Sequence, residues 1–88
     1  MISLDSLIAK IPEGYSHGMF YNIKYGITKQ TFNDGKSFKI YGKDLKGTDF
    51  ISLNYYICKD KTYIKPCEMS QNKVIGFLKE VKIIEDGC

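Results

Sequence analysis

The sequence predicts an α+β domain: an antiparallel sheet of four to five strands, a short helix ahead of it, and a C-terminal helix packed on one of its faces. Three observations carry this. Apolar residues recur with a period of two from Tyr15 to Met69, turn residues punctuate that stretch, and helical spacing replaces the alternation at both ends. The chain of 88 residues has no linker and falls below the usual size for two cores, so residues 1–88 are read as a single domain.

The first helix is predicted from Leu4, Leu7, Ile8 and Ile11, which share one helical face, with Ser3 as N-cap and Asp5 in the first turn. Pro12 and Gly14 end it after barely two turns, so it holds only by docking on something larger. A first strand is expected from Gly18 to Tyr21 and a second from Lys24 to Phe32. Asn33-Asp34-Gly35 then supplies residues that tolerate the positive φ of a tight turn, and Lys36 to Gly42 returns antiparallel. With a loop at Asp34-Gly35, Thr31 faces Phe38 and Lys29 faces Ile40. Tyr25, Ile27, Phe38 and Ile40 then lie on one side, and Thr28, Gln30, Lys39 and Tyr41 on the other.

Asp49 to Ile57 alternates most clearly, with Ile51, Leu53, Tyr55 and Ile57 on one face. The turn Cys58-Lys59-Asp60-Lys61 pairs Tyr56 with Tyr63 and Tyr55 with Ile64, and Pro66 closes the last strand near an edge. Ser70 is the N-cap of the final helix, whose apolar face is Val74, Ile75, Phe77, Leu78 and Val81. Met69 and Val74 form a hydrophobic staple, and Gly76 is expected to let this helix lie close to the sheet. The expected core is Ile27, Phe38, Ile40, Ile51, Leu53, Tyr55, Ile64, Val74, Phe77 and Leu78.

Composition narrows the function. At 43% hydrophobic and 26% charged, the chain is expected to fold without a partner, and its small size favours a homo-oligomer. No segment approaches the roughly 18 apolar residues of a bilayer span, and Met1-Ile2-Ser3-Leu4-Asp5 has neither a basic start nor an apolar stretch. Three cysteines, Cys58, Cys67 and Cys88, form no CxxC pair, so the protein is expected to be cytoplasmic, with no disulfide scaffold and no structural zinc. All 13 basic residues are Lys, giving a net charge of +3 without a single Arg. That argues against a sequence-specific DNA reader, which relies on the bidentate guanidinium.

Cys67 lies just before a helix N-terminus and near Lys65, two features that favour a reactive thiolate. Its bland reading, a small hydrophobe packed under the helix, carries more weight, because the one histidine, His17, is remote in sequence and reads as a turn residue in Tyr15-Ser16-His17-Gly18. Asp44, Asp49, Asp60 and Glu68 show no metal-ligand spacing, and no phosphate-loop motif is present, so neither metal nor cofactor is expected. What remains is a sheet face. Alternation puts Asn54, Tyr56, Tyr63, Lys65, Lys39 and Tyr41 on the side opposite the core, where tyrosine rings can stack on a base and ammonium groups can meet a phosphate. Ordinary strand surface and a subunit interface are the competing readings of that face.

Four segments, Tyr25-Gly26-Ile27-Thr28, Asn33-Asp34-Gly35-Lys36-Ser37, Gly47 to Tyr56 and Lys65-Pro66-Cys67-Glu68-Met69, carry a resemblance that extends from Ile11 to Ile84. Through them the chain resembles a group of small bacterial proteins that in part bear the label peptide methionine sulfoxide reductase. Reductases of that kind carry a Gly-Cys-Phe-Trp segment or zinc-binding CxxC pairs, and this chain has neither. The resemblance therefore implies a shared fold, and Cys67 is the one residue to which it could assign a catalytic part. Two functions are expected from different classes. The first is a non-enzymatic binding module, oligomeric, that holds a small anionic molecule such as a nucleotide signal, as a sequestering protein of a bacterium or phage would. The second is a thiol-dependent enzyme of methionine sulfoxide reductase type using Cys67. Binding is preferred because it needs only a surface.

Overall fold

Positive φ at Asn33, Asp34 and Gly35 (54°, 57° and 84°) turns the chain on itself and fixes the register of the strands on either side. In the computed structural model, which describes residues 4–59 and 61–84, Phe32 pairs with Ser37, Thr31 with Phe38 and Lys29 with Ile40. The expectations for Ser3, Asp60 and Cys88 lie outside the described residues. In chain order the elements are α1 (Leu4–Ala9), β1 (Gly14–Phe20), β2 (Ile23–Phe32), β3 (Ser37–Asp44), β4 (Phe50–Cys58), β5 (Lys61–Pro66), α2 (Gln71–Glu80) and β6 (Lys82–Ile84).

The fold class is α+β. Among the described residues the sheet has six strands in the order β5-β4-β3-β2-β1-β6, with every neighbouring pair antiparallel. That exceeds the four to five expected. The additional strand, β6, is only three residues long and follows α2 after Val81 alone, so it is too short to show a period of two. It pairs with β1 at the edge opposite β5, placing Gly18 beside Ile83.

β1 also begins earlier than Gly18 and ends before Tyr21. Tyr21 and Asn22, both at positive φ (50° and 67°), are the turn into β2 instead. His17 is consequently a strand residue opposite Gly26 and not a turn residue. The glycine beside it is explained by packing, because a Cβ at Gly18 would stand 2.8 Å from Cγ2 of Val81 and 3.0 Å from Cδ1 of Ile27.

Both helices lie on one face of the sheet. Ile27, Ile40, Ile51, Leu53 and Tyr55 meet Val74, Phe77, Leu78 and Val81 there, together with Leu7, Ile8 and Ile11. Phe38 and Ile64, expected in the core, are half-buried at its margin, whereas Tyr25 is buried within it, packed edge-on to Phe77 at 5.0 Å. Ser70 caps α2 by accepting a hydrogen bond from the Lys73 amide at 3.2 Å. Gly76 does not bring α2 toward the sheet: a Cβ there would meet nothing within 4 Å. It sits on a side of the helix that touches no other element.

Two lysines fasten the helix ends. Lys29 belongs to the apolar face of β2, is 8% exposed, and donates from Nζ to the carbonyls of Ile8 and Ile11, each at 3.0 Å. Lys10, just past α1, donates to the carbonyls of Leu78 at 2.7 Å and Val81 at 2.8 Å. Each ammonium adds a donor to carbonyls at a helix C-terminus, where the Ile8 carbonyl also accepts from the Ile11 amide at 3.2 Å, and opposes the negative end of the helix dipole. Burial holds both lysines below their ordinary pKa, with Glu80 and Glu13 respectively acting in the other direction.

Lys29→Met keeps the length of the side chain and removes its donors, leaving the Ile11 carbonyl without the ammonium and the Ile8 carbonyl with only the Ile11 amide at 3.2 Å. It should lower unfolding free energy by about 1–3 kcal/mol in urea titration and speed amide exchange around Ile8 to Ile11. Gly76→Ala should do the reverse, raising stability by roughly 0.5–1 kcal/mol in the same measurement, because the added methyl meets only solvent and a helical glycine is removed.

Candidate functional site: the open face of the sheet

The second face of the sheet carries no helix, and the registers define what stands on it. Lys39, Asn54 and Lys65 form one row across β3, β4 and β5, and Ser37, Tyr56 and Tyr63 form another. Tyr41 pairs with Ser52 nearby. All six residues expected from the sequence therefore share this face.

They do not form one site. Tyr56, Tyr63 and Lys65 line an open groove of about 490 Å³ together with Asn33, Lys36, Ser37, Ile57 and Cys58. Tyr56 and Tyr63 are 37% and 46% exposed, and Lys65 Nζ stands 5.9 Å from the centroid of the Tyr56 ring. At the turn end of the groove, the Asn33 side-chain amide donates to Ser37 Oγ at 3.1 Å, and the Lys36 carbonyl accepts from the Ile57 amide at 2.8 Å. Lys39, Asn54 and Tyr41 lie outside the groove. Tyr41 instead stacks on Phe50, its centroid 6.0 Å away and its plane tilted by 29°. Asn33, Lys36 and Ser37 were not anticipated, because joining them to Tyr56 requires the pairing of β3 with β4. Those strands are connected through Leu45 to Asp49, a loop too long for a tight hairpin turn to set the register.

Cys67 is half-buried at the end of β5. Its amide donates to the Ser52 carbonyl at 2.9 Å, and its Sγ accepts from the Asn54 side-chain amide at 3.6 Å. His17 is on β1, so β4, β3 and β2 intervene between them. At about 4.8 Å per strand, that separation is on the order of 20 Å, far beyond the reach of a general base. Among the described residues, no group of three or more His, Cys, Asp or Glu side chains gathers as a metal ion would require, and no helix is long and apolar enough to cross a membrane.

The groove can accept a flat ring against Tyr56 or Tyr63 and a negative charge between Lys36 and Lys65. Comparison of the chain with protein-family models, with curated proteins and with solved structures yields no match.

The other concentration of titratable groups is at the far end of the sheet. Asp49 accepts from the Tyr25 hydroxyl at 3.1 Å and pairs with Lys73 Nζ at 2.7 Å, joining β2 and α2. The Lys73 ammonium holds the Asp49 carboxyl below its ordinary value, while burial, followed by Asp49, pushes the Tyr25 hydroxyl up to about 12. A raised folded pKa means the folded protein keeps this proton after the unfolded chain has released it. The contribution of Tyr25 is thus complete below pH 10 and is lost as the pH rises toward 12. Thermal melts from pH 8 to pH 12 should show the Tm gap between the wild type and Tyr25→Phe narrowing above pH 10.

Proposed function

We propose that this domain is a non-enzymatic binding module that holds a small anionic ring compound of the nucleotide class in the groove of Tyr56, Tyr63 and Lys65. One observation carries the reading. Two tyrosines paired across β4 and β5 present solvent-accessible rings beside Lys36 and Lys65, in a groove of about 490 Å³. That volume lies within the range of small-molecule sites, roughly 300–1,000 Å³. A base or similar ring stacks on a tyrosine while the ammonium groups neutralise its phosphate, and the Asn33 and Ser37 side chains offer polar atoms at the turn end.

Holding such a molecule without altering it amounts to sequestration. Binding also agrees better than thiol chemistry with the surroundings of Cys67, because the histidine that would serve as its base stands four strand spacings away. Self-association is part of the proposal, since a domain of this length gains stability from it.

Calorimetric titration with a panel of nucleotides, with the mass followed by light scattering, tests the reading. Tyr56→Ala or Tyr63→Ala should weaken the preferred nucleotide by about 1–3 kcal/mol, and Lys65→Ala should flatten the salt dependence of its binding. Absence of binding by every nucleotide at millimolar concentration sinks the proposal. A change of oligomer mass in the tyrosine variants, without ligand binding by the wild type, reassigns the groove as a subunit interface.

A further inference from the structure

We infer that the open face of the sheet, beyond the groove, is a platform for single-stranded nucleic acid, bound through its phosphates and stacked bases without sequence-specific readout. The inference rests on the reading of the groove, which becomes one end of a longer track.

The charge on this face is one-sided. Register puts Lys24, Lys39, Lys43, Lys61, Lys65 and Lys82 on it, and all six are exposed. Among the described residues the strands contain a single carboxylate, Asp44, which register places on the opposite face beside Tyr25. A polyanion therefore meets lysines without a competing strand carboxylate. A second copy of the same face would bring lysine against lysine, which disfavours self-pairing here.

The aromatic rings on this face are spaced as separate stacking positions. Tyr56 and Tyr63 form the first. Tyr41, 41% exposed and backed by Phe50, is displaced along β4 by the interval from Tyr56 to Ser52, about 13 Å. Tyr15, 62% exposed, shares the Tyr41 row through Thr28, two strand spacings or about 10 Å further across the sheet. Gly26 makes room for it: a Cβ there would stand 2.3 Å from the Tyr15 hydroxyl oxygen and 3.2 Å from Cδ2 of Leu45. The Tyr15 side chain is thereby laid over the sheet.

Stacking on such rings requires unpaired bases, which a duplex keeps inside. The absence of Arg removes the usual reader of guanine edges and leaves lysines, which serve phosphates as point charges. A path from Tyr56 through Tyr41 to Tyr15 accommodates on the order of four nucleotides, the lower end of the site sizes known for sheet-based single-strand binders.

Fluorescence anisotropy with 5′-fluorescein-labelled dT15 and rU15 tests this, using the full chain at 50 and 200 mM salt, with a hairpin duplex, heparin and the matching mononucleotides as competitors. Either oligonucleotide should bind at least tenfold more tightly than its mononucleotide, with a slope of log K against log salt near −3 for about four neutralised phosphates. Tyr41→Ala and Lys39→Ala, both outside the groove, should each weaken the oligonucleotide at least fivefold while leaving the mononucleotide affinity unchanged. Equal affinity for mononucleotide and oligonucleotide, with the groove variants still active on the former, overturns the platform and spares the groove. Loss of all binding overturns both. Equal competition by heparin or duplex, together with indifference to Tyr41→Ala, reduces the face to nonspecific charge attraction and overturns the stacking path. Thermal melts of each variant confirm that weakened binding does not come from unfolding, and Tyr15→Ala repeats the test at the far end of the track.

Discussion

A six-stranded sheet has two faces, and the described part of this chain supplies helices for only one, in segments of six and ten residues. Everything else in the molecule follows from that shortage. The covered face must bury aliphatic and aromatic side chains tightly enough to hold the domain together, so it carries Ile27, Ile40, Leu53 and Tyr55 with almost no exposure. The other face meets water along its whole width and carries residues that tolerate both water and contact. Tyr and Lys do this well, because each joins an apolar body or stem to a polar tip. The same inequality between faces that stabilises the fold thus leaves a chemically distinctive surface.

The helices could not hold their places by packing alone. A helix of six residues is too short to persist in water, and α1 is held at its C-terminal end by Lys29, an ammonium that reaches through the core layer from β2. Lys10, which follows α1, does the same for α2. The two contacts act in series: β2 positions the end of α1, and the residue after α1 positions the end of α2. At the other end of α2, Asp49 links Lys73 to Tyr25, so the longer helix is tied to the sheet near both of its termini. Burying a lysine is costly, and here four carbonyls, at the ends of two helices, offset that cost.

Much of this was legible in the sequence. Two hairpins announced their own registers, because Asn33-Asp34-Gly35 and the turn after Cys58 permit few pairings, and the alternation around them assigned both faces. Tyr56 and Tyr63 were found opposite each other on that basis. Where no tight turn intervenes, the sequence is silent: the loop after Asp44 leaves the β3–β4 register open, which hid Lys36 and Ser37 from the groove. Gly14, Ser16 and Gly18 resemble loop punctuation, yet Gly18 answers to Val81 on a distant segment. Lys29 did leave a signal, since a lysine in the position after Tyr25 and Ile27 interrupts an apolar alternation. It needed a partner, and the helix ends that provide one come from residues far away in sequence.

The strand order has a further bearing on how the sheet ends. β5 forms one margin and β6 the other, and a margin ordinarily exposes backbone groups on which a foreign strand can continue the ladder. Among the described residues β6 offers only three, while β5 carries Lys61 and Lys65 and terminates at Pro66, whose nitrogen has no hydrogen to donate. Neither margin is a good template for growth. The fold thus leaves its tyrosine-bearing face open while offering a foreign strand little backbone ladder to extend at either described margin.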